Sequence, residues 1–198
     1  MPSRPRLATL TAAMLLAATT GAPTAQPAAT AFPPAAASCI GCHVGTVTAA
    51  PRLEGLPADY LVKQLRDLRD GDRPVDAALG AAHTLDRPVA QRLAQWLAAQ
   101  PAAGWPAAAS PLGQRLYDQG DQSRGRPACQ VCHGSAAGAA HGLSAPPLQG
   151  QPAAYLARQL HAWREKRRTN SPDGLMNDAA QGLTDAEIDA LARHLGRP

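Results

Sequence analysis

Cys-x-x-Cys-His occurs twice in this chain, as "SCIGCHV" at 38–44 and "ACQVCHG" at 128–134. The two copies use every cysteine present: Cys39, Cys42, Cys129 and Cys132. On a helical turn such spacing puts the thiols at i and i+3 and the imidazole at i+4, all on one face. Two thioether bonds can then hold a porphyrin edge-on while the adjacent histidine, His43 or His133, reaches its iron, and the pattern is the attachment signature of c-type haem. Other chemistries fit less well. A four-cysteine zinc site would need both pairs to converge from opposite halves of the chain, and it leaves both histidines without a role. Redox disulfides of the thioredoxin kind want a βαβ setting, and no strand pattern is present. Structural disulfides pair cysteines at freer spacings. Two covalently bound haem c groups, each with its iron, are the expected cofactors.

The motifs sit inside an internal repeat. "PRLEGLPADYLVKQL" (51–65) matches "PPLQGQPAAYLARQL" (146–160), and "LDRPVAQRLAQWL" (85–97) parallels "LTDAEIDALARHL" (183–195). The offset between copies grows along the chain, so the second half carries short loop insertions while its elements keep their order. "QPAAGWPAAASP" (100–111) reads as a Pro/Ala-rich linker between two related domains, 38–99 and 112–198. Each half reads as helical. Pro57 and Pro152 stand where helices begin. Tyr60, Leu61, Gln64, Leu65 and Leu68 follow a 3.6-residue period, as do Tyr155, Leu156, Gln159, Leu160 and Trp163. Thr184 and Glu187 form a capping-box pattern ahead of Ile188, Leu191 and Leu195. The matching helix of the first half begins near Asp86 and buries Val89, Leu93 and Leu97. Ser110, Pro111 and Gly120 bracket a further helix in the second half. The first half has only Pro/Ala-rich sequence before Cys39, so it lacks a clear N-terminal helix.

The chain opens with "MPSRPR", then the apolar "LATLTAAMLLAATTGA", then small residues between Ala22 and Ala31. This reads as an export signal over residues 1–31, with an uncleaved anchor as the alternative. No later segment is apolar and long enough to cross a bilayer. The formal charge is +4, and two of the basic residues, Arg4 and Arg6, lie in the leader. Without a basic stripe carrying interleaved aromatics, nucleic-acid binding has no support. "REKRR" (164–168) reads as a solvated helix end. Aromatic residues are few, with three Trp, three Tyr and one Phe, so small domains like these need a disulfide, a metal or a cofactor to complete their cores.

Haem iron in such a site takes a second axial ligand, and a thioether raises its potential. Beyond the leader the chain has one methionine, Met176, in the segment "NSPDGLMNDAA" (170–180). It is expected to lie in a loop and fold over the haem face opposite His133.

"GQRLYDQGD…ACQVCHG…PPLQGQPAAYLARQL…M…LTDAEIDALARHL" resembles the class I cytochromes c. The repeat, helical order and linker resemble the dihaem cytochrome c4 type. The resemblance covers the second half well and the first from Cys39 to about Leu97. It implies an all-α fold of two tandem class I cytochrome c-like haem domains, the first atypical. It also implies a periplasmic carrier of single electrons between respiratory redox partner proteins, a terminal oxidase among the acceptors. By motif, Cys129 and Cys132 attach the second haem while His133 and Met176 ligate its iron; in the first half only Cys39, Cys42 and His43 carry over.

Family spacing puts a methionine near Ala78, and none is there. The loop "DRPVDAALGAAHTLD" (72–86) offers His83, two residues before Leu85 rather than seven, so ligation by His83 requires a refolded loop. An open or water-bound iron is the alternative, and Lys63 a weaker ligand candidate. His141, His161 and His194 read as surface or loop residues. Arg73 and Arg168, at matching places, read either as partners of haem propionates or as solvated. Without its own first helix, domain one is expected to lean on domain two or on a partner to cover the 85–97 helix. The chain carries no separate catalytic constellation, which favours an electron carrier over an enzyme. An open first haem would instead make it the haem subunit of a redox enzyme, or a ligand sensor.

Overall fold

The computed structural model describes residues 33–43, 50–75, 80, 83–102, 108–134 and 145–197. The leader, its cleavage region and His141 lie outside these residues. The first half contains α1 (Ala36–His43), α2 (Ala58–Asp70) and α3 (Arg87–Ala98). The second contains α4 (Pro111–Gln119), α5 (Gln130–His133), α6 (Ala153–Arg164), α7 (Leu175–Ala180) and α8 (Asp185–Leu195). Among the described residues there is no strand, only the isolated bridges Asp121–Arg126 and Pro152–Arg197.

The helix starts follow from local chemistry. Ser110 Oγ accepts from Gly113 N at 3.3 Å, with Pro111 in the first turn. Thr184 and Glu187 close a full capping box on α8, each side chain bonding the other's backbone N–H. Pro57 and Pro152 stand one place outside their helices, at the cap position. Asp86 caps α3 without a side-chain bond.

Each half owns an apolar cluster. Ala36, Leu56, Leu61, Leu93, Ala94 and Leu97 form one; Leu116, Tyr117, Leu156, Trp163, Ile188 and Leu191 are prominent in the other. Val89, expected inside, is only half-buried, and Ala90 takes the inward position. The repeat explains a shared clasp at the base of each cluster. Gly55 N donates to Leu97 O at 3.0 Å, and Gly150 N to Leu195 O at 2.9 Å. Both glycines hold positive φ, +73° and +78°, which a side chain would oppose.

In the second half α4 lies directly on α8. Gly113 makes this close approach feasible, because a Cβ there would meet Ala190 O at 2.1 Å. Backbone cannot rotate aside, so Gly113→Ala is expected to lower unfolding stability by about 1–3 kcal/mol. A shifted denaturant midpoint at unchanged slope is the reading that checks it.

No helix precedes α1 in the first half among the described residues. Instead Ala36 itself, fully buried, packs into the cluster with Leu93, Ala94 and Leu97. The two halves do lean on each other, through a polar seam on α2 and its flanks. Arg52 N donates to Gln151 Oε1 and Gln151 Nε2 to Arg52 O, both at 2.9 Å. Tyr60, Gln64 and Arg73 face their repeat counterparts Tyr155, Gln159 and Arg168. Arg73 bonds Gln64 at 2.9 Å and Tyr155 at 3.0 Å. Arg168 bonds Gln159 at 2.6 Å and Gln64 at 2.9 Å. The solvated alternative for these arginines is therefore overturned: Arg168 is 6% exposed and stacks 4.3 Å over Trp163. "REKRR" divides accordingly, with Glu165, Lys166 and Arg167 exposed and Arg168 buried. Arg164 reaches Leu183 O at 2.8 Å.

Candidate functional site

The two Cys-x-x-Cys-His segments are helical, as their spacing requires. Cys39, Cys42 and His43 lie on α1; Cys129 caps α5, which carries Cys132 and His133. None of the four thiols is in a disulfide. Burial pushes the Cys39 and Cys129 thiols above their ordinary range.

The histidines are held identically. His43 Nδ1 lies 2.7 Å from Pro51 O, and His133 Nδ1 lies 2.7 Å from Pro146 O. A carbonyl can only accept, so each Nδ1 carries the proton and donates it. Each Nε2 is left with its lone pair, the form that binds metal. Burial lowers both imidazole pKa values, with the carbonyl bond opposing it, and so favours the neutral ring. Pro51 and Pro146 are themselves a repeat pair, which makes the lock part of the duplicated unit. Tyr117 O–H adds a bond to His133 O at 3.2 Å and accepts from Gln149 Nε2 at 2.7 Å.

Beyond the two histidines the halves diverge. Met176 lies in the short helix α7, not in the loop expected for it. There it packs, with Cys129, against the apolar cluster of the second half. Its N–H donates to Ser171 Oγ at 3.1 Å, and its neighbour Asn177 donates to Trp163 O at 2.7 Å and Arg168 O at 2.8 Å. The helix starts after the Pro172–Gly174 turn, in which Asp173 and Gly174 both hold positive φ, +50° and +71°. In the first half, the loop brings the His83 ring to a centroid distance of 6.1 Å from His43, edge-on at 89°. Lys63 is committed elsewhere, to Asp67 and to Asn170 O. His161 pairs with Arg164 and His194 packs against Tyr117.

Two thiols on one turn and a neutral imidazole beside them, given twice, suit covalently attached haem, and the helical frame around them defines a c-type cytochrome. The cytochrome c family model matches residues 110–197. The chain is 41% identical over 175 residues to the thiosulfate dehydrogenase electron acceptor of Thiomonas intermedia (strain K12), covering 83% of this chain and 80% of that protein. It is 36% identical over 166 residues to cytochrome c4 of Thiocapsa roseopersicina, covering 79% and 85%. Among solved structures, reduced recombinant cytochrome c4 from Pseudomonas stutzeri matches with a TM-score of 0.73 at 28% identity, over 80% of this chain and 92% of that one. The as-isolated thiosulfate dehydrogenase of Marichromatium purpuratum matches at 0.69 and 32%, over 82% of this chain but 38% of that one. The chain belongs to the class I dihaem cytochromes c of the c4 type, electron-transfer proteins with covalently bound haem c at Cys39/Cys42 and Cys129/Cys132.

That the first half leans on the second is expected from sequence, but the residues that form the seam are not. Their signal was present: Tyr60/Tyr155 and Gln64/Gln159 are identical pairs inside the repeat, and a glutamine on an apolar stripe needs a partner. Asp67 gave no such signal, since its counterpart is Ala162.

Proposed function

We propose that this chain is an exported, periplasmic carrier whose two haems differ in ligation, taking single electrons from a thiosulfate-oxidising dehydrogenase and passing them to a respiratory acceptor. Bound haem supplies the chemistry, a reversible one-electron change at iron. Cys39 with Cys42 and Cys129 with Cys132 would hold the two haems, His43 and His133, oriented by the Pro51 and Pro146 carbonyls, would each bind an iron, and a second ligand in each half would set its potential. For the second half that ligand is Met176; for the first it is His83. The observation that carries the reading is the 6.1 Å between the His43 and His83 rings. Two imidazoles bound on opposite sides of one metal, each about 2 Å from it as in other metal sites, have centroids roughly 6 Å apart.

Histidine opposite histidine gives a lower potential than histidine opposite methionine. The first haem is therefore the low-potential member. The choice of donor is supported by the name of the Thiomonas relative, an electron acceptor of thiosulfate dehydrogenase. No helix among the described residues is long and apolar enough to cross a membrane.

A second reading is that the chain works as a haem subunit of such an enzyme. The Marichromatium chain, of which this one matches 38%, favours it. Rapid mixing of the oxidised holoprotein with thiosulfate and a purified thiosulfate dehydrogenase tests both. A carrier is reduced only with enzyme and substrate together, at a rate that rises with its concentration. Co-elution with the dehydrogenase at a fixed ratio would favour the subunit. No reduction by enzyme and substrate, in a protein that dithionite reduces, would exclude this donor.

A further inference from the structure

We infer that Lys63 and Asp67 on α2 of the first half anchor the segment that presents Met176, so that one haem domain positions the sixth ligand of the other. The inference rests on Met176 being that ligand. Asp67 is buried, its side chain 2% exposed, and it is held by Lys63, by Arg66 at 2.9 Å and by Asn170 Nδ2 at 2.6 Å. Lys63 Nζ also donates to Asn170 O at 2.6 Å, and Asn170 Nδ2 lies 3.2 Å from Gln64 Oε1. Asn170 is thus gripped by the other domain at its Nδ2 and its carbonyl, while its Oδ1 accepts from Arg168 Nε of its own half at 2.9 Å. The grip passes on through Ser171, whose Oγ takes the Met176 N–H. At its far end the segment is tied by Asn177 within its own half. Met176 is suspended between an internal anchor and an external one.

A buried carboxylate is costly unless it is paired, and helix α2 does not need one for its own packing. The repeat makes the comparison directly: the counterparts of Lys63, Asp67 and Asn170 are Arg158, Ala162 and Val75. Ala162 and Val75 have neither the carboxylate nor the amide of Asp67 and Asn170, so that side-chain contact has no counterpart at those positions, and the first-half loop carries no methionine. Burial raises the Asp67 pKa, but bonds from Lys63, Asn170 and Arg66 outweigh it and keep the group ionised. An open surface groove of about 480 Å³ borders the contact, lined by Arg66, Thr169, Asn170 and Ser171 among others.

The test uses the holoprotein and three readings: the absorption band of thioether-ligated ferric haem, carbon monoxide binding to the reduced form, and the potential of each haem. Met176→Ala establishes which band and which haem belong to methionine. Asp67→Ala is then expected to weaken that band, to speed carbon monoxide binding at the second haem about tenfold, and to leave the first haem's potential unchanged. Asn170→Ala, cutting the contact from the other side, should do the same, while Arg69→Ala, on the same helix but bonded to Asp70 rather than to Asp67 or Asn170, should not. A general loss of packing would disturb both haems together. If Met176→Ala loses the band while Asp67→Ala and Asn170→Ala keep it with unaltered carbon monoxide rates, the anchor is refuted. If the wild type has no methionine band, the ligand assignment fails first, and the inference with it.

Discussion

Replacing His83 with alanine should open the first haem, and only that one, to rapid binding of carbon monoxide. In the wild-type reduced protein both irons should bind it only slowly, because a second ligand on each would have to leave first. With His83 absent, the described surroundings offer no ready substitute: Lys63 is tied to Asp67 and Asn170. The iron would be left five-coordinate or water-bound, and half of the total haem should bind carbon monoxide rapidly. Added imidazole should restore the original spectrum, since it returns the missing donor without the tether. His83→Met tests the same site with the opposite sign. A thioether in place of imidazole should raise the first haem's potential by on the order of 100 mV, a fraction of the ~0.8 V that axial ligands span. If His83→Ala leaves the first haem as slow to bind carbon monoxide and its potential unmoved, His83 is a loop residue and another group holds the iron.

The second large effect belongs to Met176. Met176→His should lower the second haem's potential by on the order of 100 mV. For a one-electron couple about 59 mV is tenfold in equilibrium constant, so transfer onto this haem from a fixed donor should weaken roughly fifty-fold. The first haem should keep its potential, because the change alters no group of its own ligand set. Redox titration of the variant against the wild type reads both values at once. An unchanged upper potential would mean that methionine is not what sets it.

Much of this molecule was legible in its sequence because duplication prints each essential position twice. The two cysteine pairs, the histidines beside them and the glycines Gly55 and Gly150 each recur at matching places in the repeat. Capping chemistry was readable for the same reason it is strong: Ser110 and Thr184 act within three residues of themselves, so no distant partner has to be known. What escaped is long-range. Gln64, Arg73, Gln159 and Arg168 find their partners across the seam, and periodicity records only that they lie on an inward stripe, not what meets them there. Met176 sits on a short helix rather than in a loop, after a turn in which Asp173 and Gly174 both hold positive φ, a local event too short to register as a periodic pattern. His83 is a candidate in the sequence because it is the good iron ligand in the loop where family spacing puts a methionine. Its approach to His43 depends on the path of a loop whose length differs from that of its counterpart in the second half.

Central to the account are two haems made unlike by one ligand each. The most direct measurement is a potentiometric titration of the holoprotein, following the visible spectrum and the methionine band together. Two one-electron steps are predicted, with the methionine band vanishing during the step at higher potential and the remaining haem reduced only below it. Two haems that both carry the band, or that titrate as one at a common potential, would contradict it.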